Sequence, residues 1–176
     1  MTEHLLFNPA RSAQILHFRE FVEGKISEDG FLYADEIEFN GTKAYLSEGL
    51  AEVEIGEKYG YVDKDKNLII NAVFDDAYPF INGTAPVEIK GKRGLINPKG
   101  EFVIEPKYDD ITSFHEGLAV VDLDGKSGYI NEESDVVIPL VNEHASVFHD
   151  GVALVSLDGK SFYHIDKQGR RVMDGE

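Results

Sequence analysis

Gly117-Leu118-Ala119-Val120-Val121-Asp122-Leu123-Asp124-Gly125-Lys126-Ser127-Gly128-Tyr129-Ile130-Asn131 is the stretch on which the fold turns. Ala119, Val121 and Leu123 occupy every second position, the period of a half-buried strand. Asp124-Gly125 then marks a tight turn, where glycine supplies the positive φ that a hairpin demands. Tyr129 and Ile130 lie on the returning strand. The same arrangement recurs one period of 34 residues earlier as Ala85, Val87 and Ile89, with Lys90-Gly91 at the turn. It recurs again at Ala51, Val53 and Ile55, and after the quoted stretch at Ala153, Val155 and Leu157 with Asp158-Gly159.

Glycine and phenylalanine mark the same period. Gly49, Gly83, Gly117 and Gly151 are spaced by 34, as are Gly60, Gly94 and Gly128, then Gly91, Gly125 and Gly159, and Phe80, Phe114 and Phe148. Self-similarity of this kind is the signature of a repeat architecture. A third strand is expected at Leu68-Ile69-Ile70, Phe102-Val103-Ile104 and Val136-Val137-Ile138. Pro106 and Pro139 are expected to end its pairing, because proline cannot donate to a ladder. A connector such as Phe74-Asp75-Asp76-Ala77-Tyr78-Pro79-Phe80 closes each unit, its last Phe pinned to the core. In the final unit Phe162-Tyr163-His164-Ile165-Asp166 fits only with one inserted residue, most simply a β-bulge.

These observations predict an all-β protein of tandem three-stranded antiparallel meanders in an open array. The units are 48–82, 83–116, 117–150 and a shortened 151–176, packed as one domain. Residues 1–47 read as a cap. Asn8-Pro9 before Ala10 to Glu23, with Gly24 behind, has the start and stop signals of a short helix. Ile37-Glu38-Phe39, Asn40-Gly41 and Thr42 to Leu46 read as a hairpin with a primed-type turn.

The blocks Glu116 to Val121, Gly125-Lys126-Ser127-Gly128-Tyr129-Ile130-Asn131 and Val137-Ile138-Pro139 resemble the WG (KWG) repeat family of bacterial proteins. Ile104-Glu105-Pro106-Lys107-Tyr108-Asp109-Asp110 is similar to that family's stretch after the third strand. The resemblance covers roughly residues 48–176. It implies an all-β repeat with a binding role and assigns no catalytic residue. The family's namesake Trp before Gly is Tyr59, Arg93, Ser127 and Ser161 here, so a surface contact built on that Trp is not expected.

Composition bounds the chemistry. The chain has 17 Lys+Arg against 33 Asp+Glu, a formal charge of −16, and no Cys. Disulfides, thiolate metal sites and a Cys nucleophile are excluded, and phosphate-backbone binding is disfavoured by repulsion. No apolar run is long enough to span a bilayer, and Met1 to Phe7 lacks the cationic flank of a secretory signal. No nucleic acid or membrane partner is expected, and a cytoplasmic location follows. Asp75-Asp76 and Asp109-Asp110, one period apart, admit a Ca²⁺ reading, although Asp beside a turn more often caps backbone N–H groups. His115 and His149 admit a Zn²⁺ or pH-sensitive ladder, with exposed connector histidines as the plainer account. His164 with Asp166 is a weak candidate acid/base pair. Ser113, Ser127, Ser146 and Ser161 have no nucleophile elbow around them, and the glycines form no phosphate loop. No cofactor, metal or catalytic residue is assigned.

Residues 101–158 contain 13 acidic and 2 basic side chains, net −11. An acidic surface of this kind steers a basic protein partner. The candidate partner-binding residues are Asp109, Asp110, Glu116, Asp122, Asp124, Glu132, Glu133, Asp135, Asp150 and Asp158. The expected function is a non-catalytic protein-binding module, in its most specific form an inhibitor or immunity-type protein that occludes a basic toxin. Two alternatives stand beside it. One is a carbohydrate-binding protein or hydrolase using the aligned acids and a platform of Tyr59, Tyr61, Tyr129 and Tyr163. The other is a self-associating scaffold; the chain itself is expected to be a monomer or weak homo-oligomer.

Overall fold

The computed structural model describes residues 35–173, so the helix expected over Ala10 to Glu23 lies outside the described residues. Among the described residues every regular element is a strand. β1 (Asp35–Phe39) and β2 (Thr42–Leu46) form the expected hairpin. It turns at Asn40-Gly41, both with positive φ. β3 (Ala51–Ile55), β4 (Lys58–Val62) and β5 (Leu68–Phe74) make a three-stranded antiparallel sheet in chain order.

The next two sheets have four strands, not three. β6 (Asp76–Ala77), β7 (Ala85–Ile89), β8 (Lys92–Ile96) and β9 (Phe102–Tyr108) form one. β10 (Asp110–Ile111), β11 (Ala119–Leu123), β12 (Lys126–Ile130) and β13 (Val136–Asn142) form the other. The connector that sequence periodicity assigns to the end of one unit pairs with the first strand of the next. Asp76 lies opposite Glu88 and Asp110 opposite Asp122. Two-residue strands like these carry no readable periodicity.

The prolines do not stop the third strand. β9 and β13 run through Pro106 and Pro139 because each strand bulges there. Leu95 pairs with Ile104 and Arg93 with Tyr108, so three residues of β9 stand across Gly94 alone. Proline is tolerated at a bulge, where no ladder bond asks for its N–H. This crowding also explains one glycine ladder. A Cβ at Gly94 would lie 2.7 Å from Pro106 N, at Gly60 2.8 Å from Ala72 N and at Gly128 2.8 Å from Leu140 N. The bulged backbone crosses directly over the glycine, and only hydrogen fits beneath it.

The last sheet, β14 (His144–Ala145), β15 (Val152–Ser156) and β16 (Phe162–Asp166), corrects a third expectation. The inserted residue makes no bulge: β15 and β16 pair in unbroken register from Val152–Asp166 to Ser156–Phe162. The turn between them absorbs it. There the Asp158 carboxylate accepts hydrogen bonds from Lys160 N and Ser161 N at 2.9 and 2.7 Å. A surface turn lengthens without shifting the side chains of the strands it joins, whereas a slip inside the ladder would turn them to the wrong face.

The core lies between sheets. Tyr61 packs with Phe74, Phe80, Val87 and Ile96, whereas its neighbour Val62 packs with Leu46, Ala51 and Val53. Leu95 faces Ile104, Phe114, Val121 and Ile130, while Ile96 faces the preceding cluster. Tyr129 and Ile130 divide in the same way. Successive residues of one strand thus enter successive seams, as repeat arrays require when each unit contacts only its neighbours.

Candidate functional site

The ten candidate carboxylates fall into distinct environments. Asp109 sits one period after Asp75, and both do the same work. Asp75 pairs with Lys58 and accepts a hydrogen bond from Lys90 N; Asp109 pairs with Lys92 and accepts one from Asp124 N at 2.8 Å. Glu143 pairs with Lys126 at the third such position. Each acid ties the second strand of its own unit to the first hairpin turn of the next, or repeats that ion pair. The Lys92 ammonium, then the Asp124 N–H, holds the Asp109 carboxyl below its ordinary range. The capping account of these acids therefore describes Asp75 and Asp109, with a lysine ammonium already at each.

Glu116 belongs to another ladder. Its carboxylate accepts from Gly151 N at 3.1 Å and pairs with Lys167 at 2.9 Å. Glu48 accepts from Gly83 N at 2.9 Å, and Asn82 Nδ2 donates to Phe114 O at 2.8 Å. These bonds join equivalent turns of successive units along the array. Asp158 is engaged in its own turn, as described above.

Asp110 and Asp122 face each other across β10 and β11, and Asp124 lies in the turn that follows. Asp110 Oδ1 receives Arg93 Nη1 at 2.6 Å. Arg93 also pairs through Nε with Glu88 at 3.3 Å and lies over the Tyr78 ring, 4.9 Å from its centroid. One unit later Ser127 replaces Arg93, and Asp122 replaces Glu88, so that acid has no guanidinium facing it. Its Oδ1 is buried and lacks a hydrogen-bond partner. Burial, then the carboxylates of Asp110 and Asp109, holds the Asp122 carboxyl above its ordinary range, while a hydrogen bond to Ser127 works the other way.

Glu132, Glu133 and Asp135 differ from all of these. They lie exposed in the turn that opens β13, and their side chains make no hydrogen bond or ion pair among the described residues. The turn is held by backbone N–H groups instead, with Asp135 N donating to Asn131 Oδ1 at 2.8 Å. The Asp150 side chain, 90% exposed, lies 3.4 Å from His149.

The remaining candidates take structural places. His115 is buried, its Nδ1 3.0 Å from Ser113 O, so it is not the exposed connector residue that the sequence suggests. Asp166 is held by Arg170 and by the N–H groups of its turn, below the ordinary carboxyl range. Tyr61 and Tyr129 are fully buried and donate their hydroxyls to Tyr78 O at 2.8 Å and Ser146 O at 2.7 Å. The proposed tyrosine platform is therefore not formed by these two: each ring packs at a steep angle against a Phe, Phe80 or Phe148, at 4.9 Å.

A glycine beneath a bulged third strand, repeated with a fixed period, is the geometric core of the unit. The family model for the WG containing repeat matches residues 59–92, 94–126 and 128–160. The chain belongs to the WG repeat family. No match is found among curated proteins. Each matched WG repeat is phased from the second strand of one sheet to the first hairpin of the next. The namesake aromatic position holds Tyr59, Arg93 and Ser127 in the three sheets. In this chain it decides whether the facing acid has a cation, as Glu88 does and Asp122 does not.

Sequence reasoning missed two features. Arg93 was legible only as a departure from Trp, although its position between repeated acids pointed to an ion-pair network. The outward side chains of the third strands also went unread: Leu68, Ile69, Phe102, Val103, Val136 and Val137 are all exposed. Pairs of adjacent apolar residues with the repeat period were the available signal.

Proposed function

We propose that this WG repeat chain is a non-catalytic protein-binding module for a basic protein. In its most specific form it is an inhibitor or immunity-type protein that covers such a partner's working surface. The observation that carries this reading is the contrast among its carboxylates. Asp109, Glu116 and Asp158 are spent on internal bonds, but Glu132, Glu133 and Asp135 stand exposed on one turn and make no ion pair among the described residues, the Lys107 ammonium reaching that turn only at Ser134 Oγ. Three like charges on one short turn repel one another, and a cationic partner relieves that repulsion while being steered toward it.

The test is affinity capture with the full chain at low and high ionic strength. A basic protein retained at low salt, released at high salt and lost with the Glu132→Gln/Glu133→Gln/Asp135→Asn variant supports the reading. Capture that is indifferent to both salt and those substitutions overturns it.

A further inference from the structure

The third strands share one outward pattern. In β5, β9 and β13 the first two residues are exposed, the third is buried, and the last is buried again. The exposed pairs are Leu68-Ile69, Phe102-Val103 and Val136-Val137, between 36% and 54% accessible. Two adjacent residues are outward together because the strand carries an extra residue here: Ile130 pairs with Val136 and Tyr129 with Ile138, leaving Val137 unopposed. Each of these strands is terminal in its sheet, so one side of its backbone has no ladder partner there.

The third strands that carry these pairs follow one another along the array as a track. The Phe102 ring lies 6.4 Å from that of Phe74, at the end of β5. Gly100, just before β9, sits against Ile70, with its Cβ position 3.0 Å from the Ile70 side chain. Lys107, near the end of β9, donates to Ser134 Oγ at 3.0 Å in the turn that opens β13. The end of each third strand therefore meets the start of the next. Exposed apolar surface in register over three units marks an interaction site rather than scattered surface residues.

Charge tells what fits it. The turn before β5 carries Asp63, Lys64, Asp65 and Lys66, and the turn before β9 carries Lys99 and Glu101, so each is balanced. The turn before β13 carries Glu132, Glu133 and Asp135 and no base of its own, so even with Lys107 of β9 at its Ser134 the acids are in excess. The track thus presents an apolar pair in each unit, with Asn71, Glu105 and Lys107 exposed between the pairs, and is anionic at its β13 end. A second copy of the chain is a poor occupant, since it would bring another net −16 against that end. Bulges and Pro106 and Pro139 interrupt the edge, which suits recognition by side chains better than addition of a long paired strand.

We infer that the third-strand track is the docking surface for an extended cationic segment of another protein, one with apolar side chains at intervals and its positive charge at the β13 end. This rests on the basic-partner reading above and adds the apolar contacts to it.

The probe is a peptide of about twelve residues alternating Lys and Leu, compared with a Lys/Ser peptide of equal charge, against the full chain by calorimetry. The Lys/Leu peptide is expected to bind at least about tenfold more tightly than the Lys/Ser peptide. Ile69→Ser/Val103→Ser/Val137→Ser is expected to erase that difference, with an unchanged circular dichroism spectrum and melting temperature showing that the fold is intact. The single variant Val137→Ser, on one exposed residue, repeats the test if the triple variant melts early. Glu132→Gln/Glu133→Gln/Asp135→Asn is expected to weaken both peptides and flatten their salt dependence. Equal binding of both peptides, unaffected by the serine substitutions, overturns the track and leaves the basic-partner reading standing. Binding of neither peptide overturns both. Self-association abolished by the serine substitutions assigns the track to a second copy and overturns the inference.

Discussion

At the scale of single residues, two positions with the same amino acid carry different constraints. Gly94 lies under the bulged backbone, where a Cβ would meet Pro106 N at 2.7 Å and Glu105 C at 2.8 Å. Gly125 has open space around it but a φ of 74°. Gly94→Ala is expected to cost about 3 kcal/mol or more, since main chain rather than a flexible side chain must move. Gly125→Ala meets only the left-handed penalty of about 1–2 kcal/mol. Urea denaturation of both variants checks the order, and equal losses would remove the close-approach explanation. Asp122 offers a charge test. Its carboxyl is held above the ordinary range in the fold, so ionisation there opposes folding, and the penalty sets in as pH rises from the unfolded value through the folded one. Asp122→Asn is therefore expected to raise the denaturation midpoint at pH 7. The gain should shrink as acidification protonates the native carboxyl. A gain that grew on acidification would contradict the assignment.

At the scale of elements, the seams are the units of stability. Tyr61 and Tyr129 occupy equivalent places two units apart, each sending its hydroxyl to a connector carbonyl. Leu95 fills the same place between them without a hydroxyl, so the bond adds to a seam that apolar packing already forms. Tyr61→Phe and Tyr129→Phe are each expected to cost about 1–1.5 kcal/mol by leaving a carbonyl, buried at Tyr78 and half-buried at Ser146, short of a donor. The double variant should cost their sum, because the two side chains lie in different seams and share no partner. Thermal denaturation of the two singles and the double measures this; marked non-additivity would mean that the seams do not act separately. First and second strands were legible in the sequence because one-sided burial enforces their alternation, as at Ala119, Val121 and Leu123. The third strand was legible only to Ile70, Ile104 and Ile138. Beyond those residues a second, wider bulge breaks the period, and Pro106 reads as a stop unless the bulge is known. The short β6 and β10 were hidden because two residues carry no period. The candidate acids were legible as charge but not as bonding: nothing local separates Asp109, tied to Lys92 and Asp124, from Asp135, whose carboxylate makes no bond among the described residues.

At the scale of the whole molecule, the repeat period specified an all-β array because one deviation at a time is tolerated so long as each seam still closes. Arg93 and Ser127 occupy the same place with opposite consequences for charge, yet both sheets form. Electrostatics is therefore not what holds the array together, and its net effect follows from opposing contributions. Ion pairs such as Lys92–Asp109 and Lys126–Glu143 are exposed at both partners, and such pairs contribute little individually and weaken with salt. Against them stands the mutual repulsion of a chain at −16, with a block from 101 to 158 at −11. That repulsion acts over the Debye length, about 30 Å at 0.01 M salt and about 10 Å at 0.1 M, so added salt removes most of its long-range part. Repulsion among many acids should outweigh a few screened pairs. The melting temperature is accordingly expected to rise as sodium chloride is increased from about 0.01 to about 0.2 M. The same increase should weaken capture of a basic partner through Glu132, Glu133 and Asp135, because there the like charges have been given an opposite one. Scanning calorimetry and binding over one salt series separate the two effects. A melting temperature that fell in step with affinity would show instead that ion pairs within the fold dominate its electrostatics, and the acidic surface would have to be read as structural.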